Sequence, residues 1–364
     1  EYKTQNRGGV GQKSAGTRDQ DFLENMFVAT NHQYMMFFTQ KGKCFWMRVY
    51  EIPEGSKTAK GRAIQNLVNI ESDDKVKAFI CTQDLKDQDY IKSHNLIMVT
   101  KKGQVKKTSL EKYSKPRVNG VAAITIKEGD ELLEAKLTNG ESQIILAVKS
   151  GKLVRFEETK TRPMGRTASG VRGITLKDDA DEVIGMVTVD KDDINDSQIL
   201  VVTENGYGKR TKLVDEDGED VYRITNRGGK GVKTLNITEK TGKLISISAV
   251  TDADDLMIIN KSGLTIRMAV EDLRVMGRAT QGVKLINLKG TDSIAAVTKV
   301  MKDDVVEVVV DEDGNVIETE VIERVKPVLE VLEDEGVVDE DDDDDEEIID
   351  EDEDDNADGD EDEN

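Results

Sequence analysis

Two short segments combine glycines with cations: Gln5-Asn6-Arg7-Gly8-Gly9-Val10-Gly11 and Thr225-Asn226-Arg227-Gly228-Gly229-Lys230-Gly231. Glycines in series let a main chain come close to a phosphate and aim N–H groups at it, while Arg and Lys supply countercharge. The first run superficially matches a nucleotide-binding loop through Lys13 and Ser14. Gln12 stands where the glycine before the lysine belongs, however, and no amphipathic helix follows. A Rossmann loop lacks its βαβ setting. A plain flexible turn explains the glycines but not the cations. Catalytic chemistry has little to draw on: His32 and His94 are the only histidines, and Cys44 and Cys81 read as free thiols. Asp215-Glu216-Asp217-Gly218 lacks the acid spacing of a calcium loop. Phosphate binding without catalysis is the chemistry left.

Such residues need elements to hold them, and internal repeats supply these. Four or so apolar residues, a few polar ones and a glycine recur five times: Met35–Phe38 before Gly42, Leu96–Val99 before Gly103, Ile144–Ala147 before Gly151, Ile199–Val202 before Gly206, and Leu256–Ile259 before Gly263. Each glycine opens an alternating stretch such as Lys152-Leu153-Val154-Arg155-Phe156. That pattern predicts a β-hairpin with a buried first strand and a half-exposed return strand. A second element, Arg-x-x-x-Gly-Val, follows from Arg166, Arg227 and Arg278, one residue shorter from Arg117, more loosely from Arg62, and only as Arg-x-x-x-Gly from Arg7. From Gly11, with Ala63 in the glycine's place in the loose copy, the intervals are 52, 57, 50, 61 and 51 residues. Multi-strand repeats of that length predict propeller-like blades. Six second elements against five hairpins place the first blade's hairpin upstream, and the missing initiator Met is read as the mark of a fragment of a longer chain. Short helical turns are expected at Thr108–Lys112 and Ala269–Leu273.

The cations keep register with this repeat. Lys107, Arg155, Arg210 and Arg267 each lie four residues after a turn glycine, while the first repeat has Trp46 there and Arg48 two further on. Loops add Arg62, Lys115, Arg117, Arg162, Arg166, Arg172, Arg227, Lys230, Arg274 and Arg278. Charge that only solubilises has no reason to follow a structural period, so these side chains are expected along the rim as a track for a polyphosphate.

Charge divides the chain. The whole carries −23, but residues 303–364 hold 33 acids against Arg324 and Lys326, a local −31 that leaves +8 on residues 1–302. Residues 1–302 are therefore read as the repeat domain and 303–338 as an acidic linker with one possible hairpin across Asp313-Gly314-Asn315. The last stretch, 339–364, with 20 acids and no base, is expected to be disordered. There is no signal-peptide region and no apolar run of about 18 residues.

The glycine–cation segments carry a specific resemblance. The chain is similar to the C-terminal domain family of the DNA gyrase A subunit, whose hallmark is a Gln-Arg-Arg-Gly-Gly-Lys-Gly box. The likeness continues through Lys13-Ser14-Ala15, Asp21-Phe22, Val28–His32, Gly42-Lys43, Met47–Tyr50 and Gly61-Arg62, and more weakly to about residue 300. The first box keeps one cation of three, since Asn6 and Val10 replace two, whereas the second retains Arg227 and Lys230. The resemblance implies an all-β, six-bladed β-pinwheel that wraps double-stranded DNA around its rim in a chiral sense. The parent would then be an ATP-driven type IIA topoisomerase that introduces negative supercoils. The expected DNA-binding set comprises Gln5, Arg7, Gly8, Gly9, Gly11 and Lys13 in the first box and Arg227, Gly228, Gly229, Lys230 and Gly231 in the second. Arg48, Arg62, Lys107, Arg117, Arg155, Arg166, Arg172, Arg210, Arg267 and Arg278 complete it. No tyrosine follows an arginine as the family's cleaving tyrosine does, so no catalytic residue, metal or cofactor is expected here. ATP and Mg belong to other parts of an A2B2 holoenzyme. The expected partners are DNA, the gyrase B subunit and the N-terminal part of the gyrase A subunit, in the bacterial cytoplasm at the nucleoid. The alternatives are the matching domain of topoisomerase IV, or a propeller scaffold that binds acidic proteins through the same rim.

Overall fold

In each repeat the apolar run before a glycine becomes a strand buried on both faces, and the glycine turns it into its return strand. The computed structural model describes residues 12–13, 29–55, 61–83, 85–262, 264–288, 292–301, 305–310 and 316–322. Gln5, Arg7, Gly8, Gly9, Gly11, Gly263 and the segment 339–364 lie outside the described residues. The chain divides into two units, Glu1–Asp303 and Asp304–Asn364.

The first unit begins with β1 (Gln12–Lys13). The first repeat gives β2 (Tyr34–Thr39), β3 (Lys43–Arg48) and β4 (Val76–Thr82). The second gives β5 (Asn95–Thr100), β6 (Gln104–Ser109), β7 (Val121–Ala122) and β8 (Leu132–Thr138). The third gives β9 (Gln143–Val148), β10 (Lys152–Glu157), β11 (Val171–Arg172) and β12 (Val183–Val189). In the fourth come β13 (Gln198–Thr203), β14 (Tyr207–Lys212), β15 (Val232–Lys233) and β16 (Leu244–Val250). The fifth ends the unit with β17 (Asp254–Asn260), β18 (Leu264–Ala269), β19 (Val283–Lys284) and β20 (Ile294–Met301). In the second unit β21 (Val305–Val310) pairs antiparallel with β22 (Val316–Ile322).

Each repeat makes one sheet, but not from its own strands alone. The hairpin pairs internally, and the last strand of the repeat (β4, β8, β12, β16, β20) returns to the hairpin's first strand. The two-residue strand does otherwise. β7, β11, β15 and β19 leave their own repeat and add to the return strand of the preceding one, at β3, β6, β10 and β14. β1 serves the last return strand in the same way, with Gln12 opposite Thr265 and Lys13 opposite Leu264. Successive sheets meet through β4, β8, β12, β16 and β20, side by side in that order, so the exchanged strands lie at the opposite, outer edge.

The two-residue period of a strand assigns the core. Leu96 and Met98 of β5 pack with Met36 and Phe38 of the preceding sheet. Their alternates Ile97 and Val99 pack with Ile144, Leu146 and Val148 of the next. The third and fourth sheets share a core through Ile145, Ala147, Ile199 and Val201, and the fourth and fifth through Leu200, Val202, Leu256 and Ile258. The first strands β2, β5, β9 and β13 each feed two cores, which is why their sequences are continuously apolar rather than alternating. Burial of such side chains contributes about 1.5–3 kcal/mol each.

Two expectations change. Five four-stranded sheets are present among the described residues, not six. The loose copy at Arg62 forms a short 3-10 turn, Ile64–Asn66, in place of a strand, and with Leu67, Val68 and Ile70 it packs on Met35, Phe37, Phe45 and Met47. It covers the face of the first sheet that a preceding sheet would otherwise occupy. The return strands are also buried beyond the predicted half, because sheets on both sides cover them: β6, β10 and β14 are partly exposed only at their ends. The two expected helical turns are single 3-10 turns at Leu110–Tyr113 and Val270–Asp272. Among the described residues one α-helix, α1 (Gln88–Ser93), starts on Asp87, whose side chain accepts from the amides of Asp89 and Tyr90.

Candidate nucleic-acid interface

The cations four residues after each turn glycine do not reach the rim. Lys107, Arg155, Arg210 and Arg267 are all buried, because their strands are covered on both faces. Each is paired. Lys107 meets the buried Glu158 carboxylate at 2.8 Å, and Arg267 donates from Nε to Asp255 Oδ2 at 2.8 Å. Arg155 donates to Asp220 at 2.7 Å, to Gln143 Oε1 at 2.6 Å and to the carbonyl of Tyr222 at 2.9 Å. Arg210 pairs with Asp252 and donates to the carbonyl of Leu273 at 2.6 Å.

Their partners reveal what these cations do. Tyr222 and Leu273 belong to the loops that carry the next repeat's exposed arginines. The main chain adds a second attachment at the same points, since Met164, Thr225 and Met276 donate to the carbonyls of Lys107, Arg155 and Arg210 at 2.8, 2.8 and 2.9 Å. A further pair acts one residue earlier. Lys106 donates to the carbonyls of Ala123 and Arg166, and Lys209 to those of Gly277 and Arg278. Burial pushes the Lys106 ammonium down to about 7, assisted by repulsion from Lys112 and Arg166, and pushes Lys209 down to about 8. Lys107, Arg155 and Arg210, with Lys106 and Lys209, therefore fix the outer loops in place, whereas Arg267 pairs within its own hairpin.

Exposed charge lies on those loops and on the exchanged strands. Arg62, Arg117, Arg172, Arg227, Lys230 and Arg278 are exposed, and Arg166 is partly so. Arg48 is partly buried, stacked 3.8 Å over the Tyr34 ring. Arg117 and Arg166, from successive repeats, come together with Lys112 and Lys115 around an open hollow of about 710 Å³. On the exchanged strands the residue after valine faces out: Arg172, Lys233 and Lys284 are exposed. In the register of β10 with β15, Lys152 stands directly opposite Lys233. Like charges so opposed are unfavourable unless an anion joins them. Lys13 holds the equivalent backbone position on β1.

The second box is clasped as well as charged. The Arg227 guanidinium donates to the carbonyls of Lys160 and Arg172, at 3.1 and 3.2 Å. The amide of Gly228 donates to Gly173, and the amide of Thr175 to Gly229. At Gly231, with φ +76°, a Cβ would stand 2.5 Å from the carbonyl oxygen of Leu153. That glycine is required by the close approach of the exchanged strand, not by a phosphate. Lys230 stays exposed beside Lys152 and Lys177.

A family model described as "DNA gyrase C-terminal domain, beta-propeller" matches six segments: residues 1–30, 33–83, 94–139, 143–190, 197–251 and 254–301. The chain belongs to the DNA gyrase C-terminal domain family. Among its relatives, the DNA gyrase A subunit of Staphylococcus aureus (strain NCTC 8325 / PS 47) is 40% identical over 302 residues, which is 83% of this chain and 33% of the relative. The same protein of Staphylococcus aureus strain Mu50 / ATCC 700699 matches equally, over 32% of its length. The chain thus spans about a third of the relatives it matches. Its fold is that of a solved DNA gyrase A C-terminal domain, with TM-score 0.65 and 22% identity over 82% of this chain and 93% of the other. It is also that of a DNA topoisomerase IV C-terminal domain, with TM-score 0.64 and 24% identity over 74% and 80%.

Within this domain, sequence reasoning missed Lys233 and Lys284 and left Arg223 unplaced. The signal was available for the first two: Gly170-Val171-Arg172 recurs as Gly231-Val232-Lys233 and Gly282-Val283-Lys284. Among the described residues no group of His, Cys, Asp and Glu could hold a metal ion, and no helix is long and apolar enough to cross a membrane.

Proposed function

We propose that this chain binds double-stranded DNA without sequence specificity and wraps it chirally along the outer edges of its sheets, so that a DNA gyrase introduces negative supercoils. The observation that carries this reading is the register of exposed cations on the exchanged strands and their loops: Arg172, Lys233 and Lys284, with Arg166, Arg227 and Arg278. Those cations repeat with the sheets, and among the described residues no recognition helix accompanies them, so contacts go to phosphates and preference comes from bendability. ATP hydrolysis and strand cleavage are assigned to the rest of an A2B2 holoenzyme, through the gyrase B subunit and the N-terminal part of the A subunit. This chain itself uses no cofactor, and the cytoplasmic nucleoid is where it acts.

Duplex length and salt test the reading. If about 10 phosphates are neutralised, log affinity falls against log salt with a slope near −9. Duplexes of about 100 base pairs bind far better than short ones of equal total phosphate, because a wrap engages several sheets at once. A shallow slope near −2 with no length dependence contradicts wrapping and favours a scaffold for acidic proteins.

A further inference from the structure

We propose that the outer loops carry an apolar contact as well as charge: Ile224 and Val275, with Pro163 in the equivalent place, press on the sugar wall of the DNA minor groove and make the duplex bend where it crosses these three loops. The proposal rests on the DNA-wrapping reading and adds how the bend is made.

Exposure singles these positions out. Among the described residues only four large apolar side chains are exposed: Tyr50, Val118 at 85%, Ile224 at 38% and Val275 at 42%. Single exposed apolar residues are ordinary, but these are few and are not placed at random. Val118 adjoins Arg117, Ile224 follows Arg223, and Val275 follows Arg274. The loops share one pattern, arginine, apolar residue, two more, arginine: Arg162-Pro163 to Arg166, Arg223-Ile224 to Arg227, Arg274-Val275 to Arg278.

The apolar residue is also anchored to the neighbouring sheet. Pro163, Ile224 and Val275 form parallel bridges with Lys107, Arg155 and Arg210, the buried cations. The amide of the following residue donates to that same cation's carbonyl. From the other side Arg155 and Arg210 hold the carbonyls of Tyr222 and Leu273, two residues before Ile224 and Val275. Main-chain bonds and, at two of the loops, buried guanidinium groups thus fix the chain on both sides of a partly exposed apolar side chain.

Between two arginines, such a side chain has a chemical counterpart. A minor groove presents phosphates on both rims and an apolar sugar wall between them. Proteins that bend DNA press apolar side chains there, while arginine is drawn to the potential of a narrowed groove. Cations along several edges already reward a curved duplex; a fixed apolar contact on three of the loops lowers the cost of the bend at each of those crossings.

The test uses the full chain with Ile224→Ser and Val275→Ser combined, which leaves every charge in place. Affinity for a duplex of about 20 base pairs, and its salt slope, should stay within about twofold of the parent, while supercoils constrained on nicked and religated plasmid fall by about threefold. Ile224→Val with Val275→Ile should restore them. Unchanged constraint overturns the proposal, as does loss of short-duplex binding at an unchanged melting temperature. Should the double variant melt early, the unaltered chain decides. Netropsin, which fills A·T minor grooves, then abolishes wrapping of plasmid if the proposal holds and leaves it intact if it fails. If the parent chain constrains no supercoils at all, the wrapping reading itself has failed.

Discussion

A buried arginine and an exposed one at neighbouring points of this fold have opposite effects on stability and binding. Arg155 is 1% exposed and joins Gln143, Asp220 and Tyr222. Removing one partner of a buried ion network costs about 3–5 kcal/mol. Arg155→Ala should therefore lower the urea midpoint sharply. Arg172→Ala, on an exposed strand end, should change stability by at most about 0.5 kcal/mol but reduce the salt slope of DNA binding by about 1. Equal stability of the two variants would count against the assignment. A pH titration tests the second pair of internal cations. The folded chain sheds protons from Lys106 and Lys209 above about 7 and 8, whereas the unfolded chain keeps them to 10.5, so stability rises with pH across that interval. Below pH 7 both states are protonated and the burial penalty is carried in full. Near pH 9 the Cys44 thiol, which burial raises well above 9.0, begins to oppose the trend. The melting temperature should climb between pH 7 and 9, and Lys106→Met with Lys209→Met should flatten the climb.

Among the elements, the two-residue strands do most to define the architecture and were the least legible. The five hairpins could be read directly, because each joins neighbours in sequence across a glycine, and the four described glycines have positive φ, such as Gly42 at +84°. An exchanged strand has no such local signal. Val232 meets Leu153 about 80 positions earlier, and two residues are too few to show a period. The same gap misplaced four cations. Along a half-exposed strand Arg155 would face solvent, but β10 is covered on both faces. The repeat spacing showed that these residues mattered and not which side of the fold they served. Gly231→Ala tests the exchange. It should destabilise more than Gly129→Ala, which shares a positive φ but has open space around it, whereas Gly231 meets Leu153. Both carry a conformational cost of about 1–2 kcal/mol, and the excess at Gly231 measures the close approach. Equal thermal shifts would argue that β15 does not depend on that contact.

For the whole molecule, the sequence conveyed the family, the all-β class and the division of charge, while the number of sheets came out one lower. That difference follows from the strand exchange: a sheet needs a hairpin, and the Arg62 copy packs on the first sheet's face instead of adding an edge. The charge contrast has its own consequence. Residues 339–364, with 20 acids, share a chain with a body of net +8, so we expect them to compete with DNA for the outer cations, at about millimolar effective concentration. Deleting them should tighten DNA binding severalfold at low salt, with the gain fading as salt rises. Identical binding of both forms would leave the tail as a solubiliser.

The central claim is that the outer edges act together to wrap DNA with one hand. Religating nicked plasmid with increasing amounts of the full chain tests it most directly. The account predicts a linking-number shift of a single sign that grows to saturation and is lost when Arg172, Lys233 and Lys284 are all replaced by Ala, with the melting temperature unchanged. Tight DNA binding with no shift in linking number, or a shift that survives loss of those three cations, would contradict it.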